Sequence, residues 1–346
     1  MSEPDERSEA GGPAAARGEY ASSYHAPVLA ETVARRLVTD PDGTYVDATL
    51  GGGGHAAALL DALSDDGRVI GTDRDEEALA EARERLPEAV DAGRLTVAKG
   101  NFARLTTLLN EHAPEKEEEV DGVLLDLGIS SRQLDAPERG FSFQKEGPLD
   151  MRFDAEEGRR TAAQIVRDWP EDDLKQLFYD YGEEPRAPQV ARTIVEARQE
   201  RSLETTEALA EVVRVATIPP EETKTLARVF QALRIAVNGE LEALESALRA
   251  LPEVLREDGR VAVIGYHSLE DRRAKRFLRY GNFEGRPVRD LYGHLIAPLK
   301  PVEKGPLTAS EDEIERNPRA RSARLRIAAR RSDDAVDIWR ARMAEG

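Results

Sequence analysis

Apolar residues in the first half of the chain follow two alternating rhythms. Short runs suited to buried strands occupy residues 44–50, 68–73, 94–99 and 122–127. Between them, apolar side chains return every third or fourth position and predict helices at 55–63, 76–86 and 102–112. Val123-Leu124-Leu125 is apolar throughout, as expected of a strand covered on both faces. Three strand–helix units in a row predict an α/β fold with a parallel, Rossmann-like sheet.

The rhythm changes near Gly140. From there to Ala236 only helical spacing remains, with helices predicted at 161–169, from Pro170 onward, at 186–200 and at 205–216. Pro170 followed by Glu171, Asp172 and Asp173 suits a helix's first turn, and Ile218-Pro219-Pro220 breaks the last of these helices. Further helices are expected at 226–235 and 241–255, before strand patterns resume at 260–267 and 323–328. The simplest organisation has an N-terminal tail at 1–22 and a sheet-bearing core at 23–139 and 237–330. An all-helical insertion for substrate recognition fills 140–236, and a C-terminal tail covers 331–346.

The first strand runs into the most informative string, Tyr45-Val46-Asp47-Ala48-Thr49-Leu50-Gly51-Gly52-Gly53-Gly54-His55. Glycines here let a backbone approach a ligand, and the helix start behind them offers unpaired N–H groups. Asp73 closes the second strand, where an acid takes ribose hydroxyls. Gly51, Gly53 and Ala56 formally satisfy a dinucleotide fingerprint, so NAD must be weighed. Asp47 before the loop would repel a pyrophosphate and attract an ammonium group, and residues 48–57 contain no Lys or Arg. Both features favour phosphate-free S-adenosylmethionine; a tight glycine turn without a ligand is the plain alternative. Because ligands in such sheets sit beyond the carboxyl ends of strands, Asp47, Asp73, Asn101, Asp126 and His267 are expected on one rim.

Composition narrows the picture. With 346 residues the chain holds one large domain, or a domain with a sizeable insertion. Zero cysteines exclude disulfides and thiolate metal sites, and five scattered histidines show no ligand spacing, so no metal is expected. No apolar run reaches membrane-spanning length and the acidic N-terminus lacks signal-peptide features, which together predict a cytoplasmic protein. The net charge of −18 is unevenly spread. Seven arginines and no acid lie between Arg316 and Arg331, whereas acids gather in the N-terminal tail and at 115–121. A basic C-terminal third on an acidic body suits a local phosphate-binding face, with surface ion pairs as the alternative. The acid and arginine excess fits either a salty cytoplasm or a high-GC genome.

The chain resembles the bacterial ribosomal RNA small subunit methyltransferase H family, also called the MraW family, over nearly all of residues 24–330. The resemblance rests on His25-x-Pro27-Val28-Leu29, the glycine loop, Thr72-Asp73-Arg74-Asp75 and residues 121–131 (DGVLLDLGISS). It extends to Arg139-Gly140-Phe141-Ser142-Phe143, residues 147–152 (GPLDMR), 230–235 (FQALRI), 267–271 (HSLED) and 317–322 (NPRARS). It implies a class I S-adenosylmethionine-dependent methyltransferase sheet carrying an inserted helical domain. It also implies methyl transfer to the exocyclic N4 amine of a cytidine in the decoding region of 16S ribosomal RNA. The family's cofactor contacts fall here on Gly53, Gly54, His55, Asp73, Phe102, Asp126 and Gln133, with Asp47 added from the loop chemistry. The chain departs from the family pattern at Phe153 (usually Met) and Tyr266 (usually Phe). It also lacks the His-Pro-Ala-Thr expected near residues 224–227.

Within that frame Asp126 is the candidate acceptor for the amine N–H, and His267 a second catalytic candidate. His267 could equally be structural, bonded to Glu270 or Asp271. His55 reads as a cofactor contact or a helix cap, and Asp150 as a cleft residue or a partner of Arg152. Phe141, Phe143 and Tyr266 are candidates for stacking on the base. Arg319, Arg321, Arg324 and Arg326 are candidates for RNA phosphates, although Arg324 and Arg326 also suit a plain amphipathic edge strand. The expected partner is small-subunit RNA within the assembled subunit, with no membrane; a homodimer is left open. A nicotinamide-dependent oxidoreductase and a noncatalytic ribosome-assembly factor are the competing functions.

Overall fold

The computed structural model describes residues 20, 27–113 and 119–344. The expected N-terminal tail apart from Tyr20, His25 of the first family motif, and residues 115–118 of the acidic run lie outside the described residues.

Seven strands form one sheet: β1 (Thr44–Asp47), β2 (Arg68–Asp73), β3 (Leu95–Lys99), β4 (Val120–Asp126), β5 (Leu255–Gly265), β6 (Leu299–Pro301) and β7 (Arg324–Arg330). Their order is β3-β2-β1-β4-β5-β7-β6. The first five are parallel, and β7 runs antiparallel to both neighbours. This is the expected α/β class I methyltransferase sheet. The reversal between β2-β1 and β4-β5 leaves a crevice at the strands' carboxyl ends.

Successive residues of a strand face opposite layers, and the core divides accordingly. Tyr45, Val69, Leu124 and Ile264 pack with Leu37, Leu59 and Leu79 from the helices Ala30–Leu37, Gly54–Ala62 and Glu76–Arg85. Val46, Ile70, Leu125 and Val263 pack on the other face with Leu105, Leu248 and Phe277, from Leu105–His112, Glu240–Val254 and Ser268–Tyr280. The strand expected at 44–50 ends at Asp47, because the chain turns there into its glycine loop. The helix expected at 102–112 begins with a tight 3-10 turn, Phe102–Arg104, capped by Asn101, whose Oδ1 accepts the Ala103 amide at 3.0 Å.

Between β4 and β5 a separate cluster of apolar residues, from Phe141 to Val237, is assembled by five helices. They are Ala162–Asp168, Glu171–Asp180, Ala187–Glu200, Thr206–Val215 and Glu222–Asn238. Their starts follow local chemistry: Thr161 and Gln164 form a reciprocal capping box, and the Thr205 side chain accepts the Ala208 amide. Gly239, at φ 61°, ends the fifth helix, and the next one, Glu240–Val254, returns to the sheet.

The segment expected to trail as a C-terminal tail is instead a helix, Asp333–Ala344. Trp339 packs edge-on against Phe277 at 6.1 Å and donates its indole N–H to the Gly281 carbonyl at 3.1 Å. β7 is an interior strand, not an edge, because β6 pairs along its outer side. Among the described residues no helix is long and apolar enough to cross a membrane.

Candidate active site

A cavity of about 350 Å³ opens at the carboxyl ends of β1, β2, β4 and β5. Its floor is the glycine loop, folded by backbone that side chains resist: Gly51 and Gly53 sit at φ 52° and 76°. A Cβ on Gly53 would also lie 3.1 Å from Leu86 Cδ1. The Gly51 amide donates to Asp73 Oδ2 at 2.9 Å, while Asp73 Oδ1 accepts the Asp75 amide at 2.9 Å. The Asp73 carboxylate is thereby fixed at the rim with lone pairs to spare. Burial raises its pKa, against those two hydrogen bonds.

Gly54, His55, Asp73, Phe102, Asp126 and Gln133 all line this cavity. Asp47 and Gly53 do not. Asp47 is fully buried behind the loop, its Oδ1 accepting the Thr49 amide at 3.2 Å and its Oδ2 without a partner among the described residues. The ammonium contact expected of it is therefore not one the cavity lining displays. Burial pushes its pKa up to about 6, opposed chiefly by the nearby His55. Gln133 helps build the rim: its Nε2 donates to Asp75 Oδ2 at 2.8 Å and its Oε1 accepts the Ser130 amide at 3.1 Å.

Asp126 stands where the sheet order reverses. Its Oδ1 accepts the Tyr266 hydroxyl at 2.8 Å, and its Oδ2 lies 3.5 Å from His55 Nδ1. Its amide donates to Thr49 Oγ1 at 2.7 Å. Burial pushes the carboxyl up to about 7; the Tyr266 hydrogen bond opposes this and Glu270 adds to it. Burial away from water also lowers the His55 pKa, although Asp47 and the Val28 carbonyl favour its charged form.

His267 follows β5 and lines the same cavity. Its Nε2 lies 3.2 Å from Glu270 Oε1, and Glu270 Oε2 accepts the Tyr266 and His267 amides at 2.8 and 3.2 Å. The partner is thus Glu270; Asp271 turns instead to Arg326. Burial would raise Glu270, but the facing His267 and its hydrogen bond hold the pKa below the usual range.

The helical cluster supplies the opposite wall. Gln231, Arg234 and Phe153 line it, and Arg234 pairs with buried Glu240 at 2.9 Å. The insertion was expected to face the substrate, but Gln231 and Arg234 were not among the candidate site residues. Arg234 sits between buried Leu233 and Ile235, and a charge inside an apolar helical stretch was the available signal. The aromatic candidates separate clearly. Phe141 stacks on Phe153 at 5.5 Å and Phe143 meets Phe230 edge-on at 5.5 Å, both within the helical cluster. Only Tyr266 of the three lines the cavity. Asp150 proves to be the partner of Arg152, in two 2.7 Å hydrogen bonds.

The C-terminal arginines divide as well. Arg326 is bound to Asp271 by hydrogen bonds of 2.7 and 3.0 Å and is largely covered, so its guanidinium is already engaged. Arg324 lies 3.9 Å from the same carboxylate and is more than half exposed. Arg319 lines the cavity and lies 3.5 Å from Asp135, while Arg321 is exposed and has no ion pair among the described residues.

The family model described as the MraW methylase family matches residues 22–331. The chain belongs to this family. Ribosomal RNA small subunit methyltransferase H of Flavobacterium johnsoniae is 44% identical over 305 residues, which cover 88% of this chain and 97% of that protein. The protein of the same description from Chloroherpeton thalassium is 46% identical over 318 residues, covering 88% and 98%. A third, from Bacteroides fragilis, is 44% identical over 313 residues, covering 90% and 99%. Membership of a methylase family displaces the nicotinamide-dependent alternative.

The cofactor of this family's methyl transfer is S-adenosylmethionine, and the cavity fits it. Asp73 can accept two ribose hydroxyls, Phe102 offers a flat apolar face, and the glycine loop permits close backbone approach. The loop itself carries no cation of the kind a pyrophosphate would need.

Proposed function

We propose that the protein transfers the methyl group of S-adenosylmethionine to the exocyclic N4 amine of a cytidine in the decoding region of 16S ribosomal RNA. The substrate is the RNA within the assembled small subunit, and the enzyme works in the cytoplasm. The observation that carries the proposal is the Asp126 carboxyl, buried beside the glycine loop and facing the cavity. Relatives described as small-subunit ribosomal RNA methyltransferases, similar along nearly their whole length, support the RNA as substrate.

A cytidine N4 amine is a weak nucleophile because its lone pair is delocalised into the ring. When bound, the sulfonium cofactor supplies an already activated methyl group, so the protein's principal task is alignment. Positioning of this kind removes roughly 7–11 kcal/mol from a barrier in favourable cases. Asp73, Phe102 and the loop hold the cofactor, while Asp126 accepts an N–H of the amine and turns its lone pair towards the methyl carbon. Charge that develops on the nitrogen then faces a carboxylate in a dry site. The helical cluster, through Gln231, Arg234 and Phe153, forms the side from which the base enters. Arg319 and Arg321 take RNA phosphate, and Arg326 remains structural.

The test uses small subunits lacking the modification, incubated with isotopically labelled S-adenosylmethionine and digested for nucleoside mass spectrometry. Labelled N4-methylcytidine is expected. Label on a different atom or base would overturn the proposed acceptor, and cofactor binding without any transfer would favour the noncatalytic assembly factor. Asp126→Ala should still bind the cofactor but lose transfer by about 100-fold or more.

A further inference from the structure

The hydrogen bonds around His55 determine which of its ring nitrogens carries a proton. Nε2 lies 2.9 Å from the Val28 carbonyl, which can only accept, so Nε2 holds a hydrogen. In the neutral ring Nδ1 is then a bare lone pair, and it faces Asp126 Oδ2 at 3.5 Å. A lone pair facing a carboxylate oxygen is repulsive unless a proton lies between them. The other carboxylate oxygen is not free to turn away, because Oδ1 is held by the Tyr266 hydroxyl. The His55 and Asp126 side chains are both nearly covered.

The geometry points to Asp126 and His55 as a proton-sharing pair that takes up the proton released by the methylated amine, with Tyr266 as the positioning residue that aims it. This rests on the amine-acceptor role of Asp126 proposed above. As the nitrogen–methyl bond forms and the carbon–sulfur bond breaks, the amine becomes a cationic N-methylammonium-type centre. One N–H proton passes to Asp126 Oδ2, its electron pair stays on nitrogen, and His55 Nδ1 stabilises the captured proton. The products are the neutral methylamine, the thioether and one protonated pair, which later releases its proton to water.

The pair is competent only after losing its shared proton, so transfer should rise with pH along an acid limb. The elevated Asp126 pKa, about 7, agrees with a limb near neutrality. The charged and titratable neighbours are Tyr266 and Glu270 around Asp126, and Asp47 and Glu313 around His55. Tyr266→Phe removes a donor to the carboxylate and should move the limb to higher pH. His55→Gln keeps a donor towards Val28 but leaves no nitrogen at the Nδ1 position. It should move the limb to lower pH, because the protonated carboxyl loses its acceptor.

The experiment is single-turnover methylation of small subunits across pH 5.5–9 at saturating cofactor, with cofactor affinity measured separately by calorimetry. Opposite displacements of about one pH unit for the two variants are expected. Superimposable limbs, or a His55→Gln limb moved to higher pH, would overturn the pair. In parallel, nitrogen-15 NMR of histidine-labelled enzyme should show the Nε2–H tautomer at His55; an Nδ1–H tautomer would overturn it without any turnover. A wild type that binds cofactor and shows the Nε2–H tautomer, yet methylates no cytidine, would instead count against the proposed function.

Discussion

Replacing Asn238 should expose how the helical cluster is clamped to the cavity. Asn238 is wholly buried at the end of helix Glu222–Asn238. Its Oδ1 accepts the Phe153 amide at 2.9 Å, and its Nδ2 donates to the Met151 and Arg234 carbonyls at 2.7 and 3.0 Å. Met151 is held at φ 65°, an unfavourable conformation for a side chain of that size, and Phe153 lines the cavity. Asn238→Ala leaves the buried Met151 carbonyl and the half-buried Phe153 N–H without partners. At about 1–3 kcal/mol for each such group, the expected loss is roughly 2–6 kcal/mol. Asn238→Asp is sharper, because it keeps the Phe153 acceptor but sets an oxygen against two carbonyl oxygens. Only a protonated carboxyl can donate there, so its folded pKa must rise above the unfolded value of about 3.9. The deficit relative to wild type should therefore be small near pH 4 and grow as pH rises through the folded pKa. Urea unfolding of both variants and wild type at pH 5 and pH 8, each compared at the same pH, measures this. A loss below about 1 kcal/mol for Asn238→Ala would refute the reasoning. So would a deficit in Asn238→Asp that does not change with pH.

Three further substitutions test other parts of the molecule. Asp47→Asn should stabilise the cofactor-free protein by up to about 3 kcal/mol at pH 8, since burial raises the native carboxyl to about 6. That gain should be complete above pH 6 and vanish below about pH 4, because the wild-type penalty exists only where the unfolded chain ionises. Thermal melts at pH 8 and pH 4 check it, and equal stability at pH 8 would show that Asp47 is not strained. For the arginines, Arg321→Ala should leave stability unchanged and lower the salt slope of RNA binding by about one. Arg326→Ala should instead cost about 2 kcal/mol or more by stripping Asp271 of its buried partner, with the salt slope unaltered. Filter binding across salt concentrations, paired with melts, separates these outcomes; a lowered slope in Arg326→Ala would return it to the RNA face.

Much of the architecture was legible without coordinates because it rests on short-range signals. An apolar run located β2 and the 3.6-residue period located Ala187–Glu200 to within a residue, while Pro170 and the acids after it marked the start of Glu171–Asp180. The glycines, Asp73 and Asp126 could be assigned to one rim because strand direction alone carries their ends to the same side of a parallel sheet. Helix Asp333–Ala344 escaped that logic: its buried Val336 and Trp339 are too sparse for a periodic signal, and the surface Trp339 packs on is supplied by distant Phe277.

What only the tertiary structure decided is how charges and hydroxyls are shared across long separations. Tyr266 meets Asp126 across 140 positions, Arg326 meets Asp271 across 55, and Asn238 grips Phe153 across 85. Asp47 turns behind the loop while Asp73 faces the cavity, although both end parallel strands. Local sequence specifies which residues can form a strand or a turn, because those preferences depend on neighbouring backbone. Whether a carboxylate meets solvent, an arginine, a hydroxyl or an imidazole depends on which elements pack beside it, and ångström-scale packing determines both its charge and its use.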